Sequence, residues 1–410
     1  MAEIRPFKAY RPKEGLESQI ASLPYDVFSR QEAKAYVDKH PQAFLRIDRA
    51  ETGLPDEVST YDPAVYERAK QLFQASIQKG EFVQDPSPCF YLYELTMEGR
   101  TQTGIVAVCA IDDYQNGIIK RHENTRADKE EDRVRHVDAL NAHTGPIFLA
   151  YREREDIQET VSKIKKAPPA VDFLAEDGIR HRTWVLSQPE EVAAFQEKLS
   201  HIDRLYIADG HHRAASAVRV GEKRRQEHPG YTGEEEFNYF LSVIFPDSEL
   251  KIFDYNRVVR DLNGLTPAKL LERISEHFEV GEARQDAFRP EKKGEFGLFL
   301  EGVWRKLCYK GSFTGNAVQD LDVSILQDLV LHPLLGIQDP KTDSRIDFIG
   351  GIRGLGEIER RCRTDMAVGF SMFPTSMEEL FAVSDNGLLM PPKSTWFEPK
   401  LLSGLFIHEM

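Results

Sequence analysis

Cysteine is scarce: four in 410 residues, Cys89, Cys109, Cys308 and Cys362, with none of the pairings that mark metal knots. So few thiols in so long a chain exclude a disulfide framework. No run approaches the roughly 20 apolar residues needed to span a bilayer. The opening Met1-Ala2-Glu3-Ile4-Arg5 lacks the apolar core of a secretion signal, so a cytoplasmic protein with no membrane partner is expected. Basic excess is missing too: the formal charge of -14 argues against a surface built to hold nucleic acid. There is no dinucleotide fingerprint, no Walker A loop, no zinc spacing and no fixed-period repeat. What is present is ordinary for a globular protein, with 41% hydrophobic and 29% charged residues. The length allows two or three domains.

The most informative stretch runs Leu205-Tyr206-Ile207-Ala208-Asp209-Gly210-His211-His212-Arg213-Ala214-Ala215-Ser216-Ala217. It starts as a strand-type apolar run and ends as an alanine-rich helix. Gly210 at such a turn lets the backbone bend sharply and leaves no side chain in a ligand's way. The helix that follows offers free N–H groups and the positive end of its dipole, a seat for phosphate. His211, His212 and Arg213 add donors and charge at the same place.

Earlier in the chain, Pro24 stiffens a turn that carries Asp26, and Ser29 reads as the N-cap of a helix over 30–39. Asp26 either aims a carboxylate or braces that turn. Ala43 to Asp48 read as a strand, and Ala64 to Lys79 as a helix with one apolar face. A hairpin is expected at Glu98-Gly99-Arg100. Arg121-His122-Glu123-Asn124-Thr125 form a polar cluster at the end of an apolar strand, where ligands of α/β sheets commonly lie. Glu123 and Asn124 are hard oxygen ligands suited to Mg²⁺ beside phosphates. Asp132 and His136 follow on one helix face. Pro246-Asp247-Ser248 break a strong apolar strand, which divides the chain into a catalytic region 1–246 and a C-terminal region 247–410. The final loop 390–400 carries Lys393-Ser394-Thr395 on a proline-stiffened segment. It either packs as a capped C-terminal tail on Trp396 and Phe397 or returns to the site and binds a phosphate or a carboxylate. The fold class expected is α+β.

Four blocks together resemble the family known as domain of unknown function 1015: Leu23 to Val27, Arg121 to Thr125, Tyr206 to Arg213, and Pro392 to Lys400. The Asp-Gly-His-His-Arg block is also similar to that of free-serine kinases of the ParB–sulfiredoxin fold, which pass a nucleotide's terminal phosphate to free L-serine. That resemblance implies a ParB/sulfiredoxin-like N-terminal half with an additional α+β C-terminal region. It implies that Asp209 to Arg213 hold nucleotide phosphates, and that Asp26 stands where those kinases keep a base. ParB proteins carry a glutamate-asparagine pair at their metal; Glu123-Asn124 looks similar in chemistry, though its order relative to the turn is reversed.

The expected activity is therefore a small-molecule kinase using ATP or ADP with Mg²⁺, making O-phospho-L-serine. Gly210, His211, His212, Arg213, Arg121 and His122 would hold phosphate, and Glu123 and Asn124 the metal. Asp26 leads as base with Asp209 in reserve, His212 offsets charge on the transferring group, and Lys393, Ser394 or Thr395 meet the acceptor. Two rivals stay open: a ParB-like nucleotide switch without small-molecule kinase activity, and a metal-dependent hydrolase. The oligomeric state is also open, a homodimer among the options.

Overall fold

A computed structural model describes all 410 residues and shows a mixed α+β protein. The chain divides into two compact units, one of residues 1–250 with 399–410, the other of residues 251–398. No helix is long and apolar enough to cross a membrane.

The first unit is built on a nine-stranded sheet. In spatial order its strands are Ile119–Lys120, Leu205–Asp209, Ile147–Tyr151, Tyr239–Pro246, Arg100–Ala110, Phe90–Met97, Arg180–Leu186 and Val171–Leu174, with Ile4–Arg5 added on Arg100–Ala110. The hairpin turn falls at Glu98 and Gly99, both at positive φ. Ile105, Ala107, Leu149, Ile207, Phe240 and Ile244 pack into one buried cluster with the helix residues Phe195, Ala214 and Ala217. Two pairings are parallel: Leu205–Asp209 with Ile119–Lys120, and Tyr239–Pro246 with Ile147–Tyr151. The first of these decides the site, because it brings two loops out side by side at the same ends of neighbouring strands.

Local signals set several element ends. Ser29 Oγ accepts from the Glu32 N–H at 3.3 Å and Glu32 Oε2 accepts from the Ser29 N–H at 2.8 Å, so a capping box starts the helix Arg30–Lys39. The helix Pro63–Gln78 starts behind Asp62, whose side chain accepts from the Ala64 N–H. The expected strand over 43–48 is instead a helical turn, Leu45–Asp48. Phe44, Leu45 and Ile47 are all buried there, and a short apolar run buried on every side carries neither period.

Residues 399–410 are held into the first unit by backbone bonds. The Ser403 N–H donates to Ser22 O, the Ile407 N–H to Tyr10 O, and His408–Glu409 pair with Ala142–His143.

The second unit is a six-stranded antiparallel sheet ordered Phe278–Val280, Val303–Tyr309, Glu295–Leu300, Val368–Met372, Tyr255–Val259 and Ile346–Gly350. The helix Leu355–Thr364 buries Leu355 and Ile358 with Val258, Phe299 and Trp304.

Candidate nucleotide site

Strand Leu205–Asp209 ends in Gly210 at φ 94°, ψ 31°, and the helix His211–Glu227 starts immediately after. The left-handed conformation at Gly210 is open to glycine at little cost, and it turns the chain so that the first N–H groups of a 17-residue helix face the strand ends. A β-bulge between Ile207 and Asp209 adds to this, since the extra residue re-aims Asp209.

Around that turn the side chains form one network. Arg213 donates from Nη2 to Asp209 Oδ2 at 3.1 Å and from Nη1 to the Pro146 carbonyl at 2.5 Å. Lys400 Nζ lies 3.7 Å from the same Asp209 oxygen. Burial alone would raise the Asp209 pKa, but Lys400 and Arg213 override it and hold the carboxyl well below the usual range. Burial also works against the charge on Arg213, and Asp209, Asp26 and Asp48 outweigh it. Asp26 thus lies within electrostatic reach of the turn, exposed on the short 3-10 helix Tyr25–Val27. Arg49 holds that segment by donating to the carbonyls of Tyr25 and Phe28.

The loop Arg121–Arg126 emerges beside the turn, as the parallel pairing requires. His212 Nε2 accepts the backbone N–H of Arg126 at 3.0 Å, and the His122 and His211 rings meet edge to face at 4.6 Å. Burial draws the His122 pKa down to about 4 and that of His211 well below its ordinary value. Both rings are therefore neutral at pH 7, and they act as hydrogen-bonding groups while Arg213 and Lys400 carry the charge. His211 Nε2 is buried and makes no hydrogen bond. Arg121 is exposed with its guanidinium 5.5 Å from the Tyr114 ring centre.

Glu123 is half-buried and Asn124 exposed on this loop. No three His, Cys, Asp or Glu side chains gather as a metal cluster. Mg²⁺ bound with phosphates takes only one or two protein carboxylates, so the single carboxylate of Glu123 fits a metal that arrives on a nucleotide rather than a resident one.

Asp132 and His136 both face inward. Asp132 accepts from Tyr66 OH at 2.9 Å and from Arg133 Nη2 at 2.7 Å, and His136 Nε2 stands 3.6 Å from Asp48 Oδ1. The Arg133 guanidinium covers the Tyr25 ring at 4.0 Å.

Lys393, Ser394 and Thr395 belong to the second unit. Lys393 has φ 59° and its carbonyl accepts from Arg257 Nη2 at 3.0 Å; Ser394 is buried with Oγ donating to Pro391 O at 2.6 Å.

Sequence reasoning missed Lys400, Asp48, Arg133 and Tyr25. Lys400 stands in the same terminal block as Lys393 but falls in the segment that joins the first unit. Tyr25 precedes Asp26, and Arg133 follows Asp132, so both stood one residue from a position already singled out. Asp48 carried no signal, as it lay in a segment read as a strand.

A bent strand-to-helix turn thus gathers an acid, two cations and neutral imidazoles at the N-terminus of a long helix in an α+β protein. The family described as protein of unknown function (DUF1015) matches residues 4–324. The chain belongs to that family, as its motif blocks imply. No curated protein matches it. Among solved structures it is similar to a free serine kinase in complex with AMP, at 17% identity and TM-score 0.34, covering 72% of this chain and 86% of that one. It is similar to SbnI with a C-terminal truncation from Staphylococcus aureus, at 12% identity and TM-score 0.37, covering 73% and 85%. A conserved hypothetical protein from Pyrococcus furiosus is similar at 18% identity and TM-score 0.32, covering 72% and 90%.

Proposed function

We propose that this protein is a cytoplasmic small-molecule kinase that transfers the terminal phosphate of ATP or ADP to the hydroxyl of free L-serine, giving O-phospho-L-serine. The observation that carries the reading is the left-handed Gly210 at the start of a long helix, with Arg213 and Lys400 set against Asp209 beside it. Phosphoryl transfer asks chiefly for positioning and charge neutralisation, and those groups supply both.

In this reading the nucleotide's outer phosphates rest on the N–H groups at Gly210 and the first helical turn. Arg213 offsets charge on the transferring group, His211 and His212 direct hydrogen bonds to it, and Arg121 and His122 flank it. Glu123, with Asn124, would hold the Mg²⁺ that comes with the nucleotide, which supplies charge neutralisation across the phosphate oxygens. Asp26 takes the proton of the acceptor hydroxyl; Asp209, tied to two cations, is the weaker base. Serine itself is chosen on the resemblance of the Asp209 to Arg213 block to free-serine kinases.

The test is direct. Pure protein is incubated with Mg²⁺, ATP or ADP and a panel of small hydroxyl compounds, and phosphorylated product is sought by mass spectrometry. Phosphoserine is expected with ATP or with ADP, and the comparison identifies the donor. Nucleotide consumed with no phosphorylated acceptor would replace the kinase by a hydrolytic switch.

A further inference from the structure

Asp48 is a buried carboxylate with no lysine or arginine paired to it. It ends the helical turn Leu45–Asp48 and accepts from Thr144 Oγ1 at 3.0 Å, with the Ser403 hydroxyl as a second partner. The imidazole beside it, His136 at 3.6 Å, is kept neutral by burial and by the charge of Arg133. Burial pushes the Asp48 pKa up, and Arg133, the two hydroxyls and Arg213 offset that only in part. A carboxylate in this position gains from any cation that reaches it.

Arg133 is its counterpart. It is buried too, and both Nε and Nη2 donate to Asp132, which leaves Nη1 without a hydrogen bond. Asp48 and Arg133 each feel the other's charge, yet no ion pair joins them. Both line one cavity of about 30 Å³, whose wall also includes Tyr25 and Arg213 and, on its apolar side, Val137, Ile147 and Leu241. An acid and a base thus face one apolar-walled space with their charges unjoined.

We propose that this cavity is the acceptor pocket and that it recognises a small α-amino acid by both poles, the ammonium on Asp48 and the carboxylate on Nη1 of Arg133. The proposal rests on the kinase reading of the neighbouring turn, and it reads the acceptor's class from groups which that reading leaves idle. A zwitterion answers both charges at once, where a sugar or a simple alcohol answers neither. The apolar wall takes the ligand's hydrocarbon and strengthens both contacts by keeping water away. At roughly 10–15 Å³ for each water-sized group, the space is cramped and excludes bulky side chains. Arg213 lines the cavity and also donates to Asp209 beside Gly210, so a ligand held here borders the phosphate seat.

The parent protein and three acceptors test the two poles. L-Serine is compared with serinol, which lacks the carboxylate, and with glycerate, which has a hydroxyl in place of the ammonium. In the presence of Mg²⁺ and nucleotide, kcat/KM for either analogue should fall at least about tenfold below serine. Serinol or glycerate used as readily as serine overturns the pocket. Asp48→Asn still accepts from Thr144 but carries no charge. Its KM for serine should rise about tenfold while nucleotide affinity holds, and its preference for serine over glycerate should vanish. A merely structural role would weaken both acceptors alike, so an unchanged serine-to-glycerate ratio overturns the pocket and leaves the kinase standing. Arg133→Lys keeps a cation for Asp132 and gives up Nη1; it should narrow the gap between serine and serinol, and an unchanged gap overturns the carboxylate pole. Glycine, which has no hydroxyl to phosphorylate, separates the two readings. Calorimetric binding of glycine that Asp48→Asn abolishes supports the pocket even where no phosphate is transferred, and a parent protein that phosphorylates serine but binds no glycine overturns it.

Discussion

Two stretches of this chain carry the residue types of a phosphate seat, and they use them to opposite ends. At Asp209–Arg213 one left-handed glycine leaves the helix N–H groups at the strand ends, His211 keeps an unbonded Nε2, and two cations lie beside a carboxylate. At 390–396 the polar groups hold the loop itself: Ser394 Oγ donates to Pro391 O, Thr375 Oγ1 to Ser394 O, and Arg257 to Lys393 O. Hydroxyls serve as ligand donors only after the loop's own buried backbone has been satisfied.

The sharpest way to break that contrast is Arg213→Met. It leaves the Asp209 carboxylate without its closest cation, so a loss of about 3 kcal/mol is expected in denaturant melts, with nucleotide affinity down at least about tenfold. A variant that melts and binds like the parent would reduce the turn to the rank of the loop.

Of these two stretches, acid should weaken only the turn with its neighbouring loop. His122, with its pKa depressed to about 4, favours the fold in its neutral form. That contribution is whole above the unfolded value of about 6.5 and is lost as pH falls through the folded one, about 3 kcal/mol in all. Denaturation midpoints measured from neutral to mildly acid pH should show it, and His122→Gln should flatten that part of the profile. The loop 390–400 holds no histidine and should add no such dependence.

Glycine swaps should act with opposite sign. A Cβ on Gly210, already at φ 94°, meets Arg213 Nε at 3.1 Å. Gly210→Ala is expected to cost about 1–2 kcal/mol and to weaken nucleotide binding in calorimetry. Lys393→Gly, at φ 59°, relieves the same kind of strain and should gain up to about 1 kcal/mol.

The smallest effect belongs to Ser394→Ala, a loss of about 1 kcal/mol from one hydrogen bond, with nucleotide affinity unchanged in the same titration. A large fall in affinity would move the loop into the turn's class.

Much of the local structure was legible. The helix over 30–39, the hairpin at Glu98-Gly99 and the strand Ile147–Tyr151 follow from a capping box, a turn dipeptide and an apolar run, all signals within a few residues. Leu45–Asp48 was misread because its buried faces follow no single period. The turn at Gly210 and the polar loop at Arg121 each stood out in the sequence as clusters of polar groups. Asp48, Arg133 and Lys400 did not, since only burial and the fold bring these common residue types close to that turn.

What the sequence determined by itself is the turn: a strand run, a glycine and a helix run carry their own geometry, because backbone preference is local. Tertiary structure alone decided what surrounds it. Parallel pairing of Leu205–Asp209 with Ile119–Lys120 joined two loops about 85 residues apart, as the Arg126–His212 contact shows. Backbone bonds of residues 399–410 to Ser22, Tyr10 and His143 carried Lys400 to Asp209 and His408 to His143. Such contacts depend on which strands find each other, and no short stretch of chain encodes that choice.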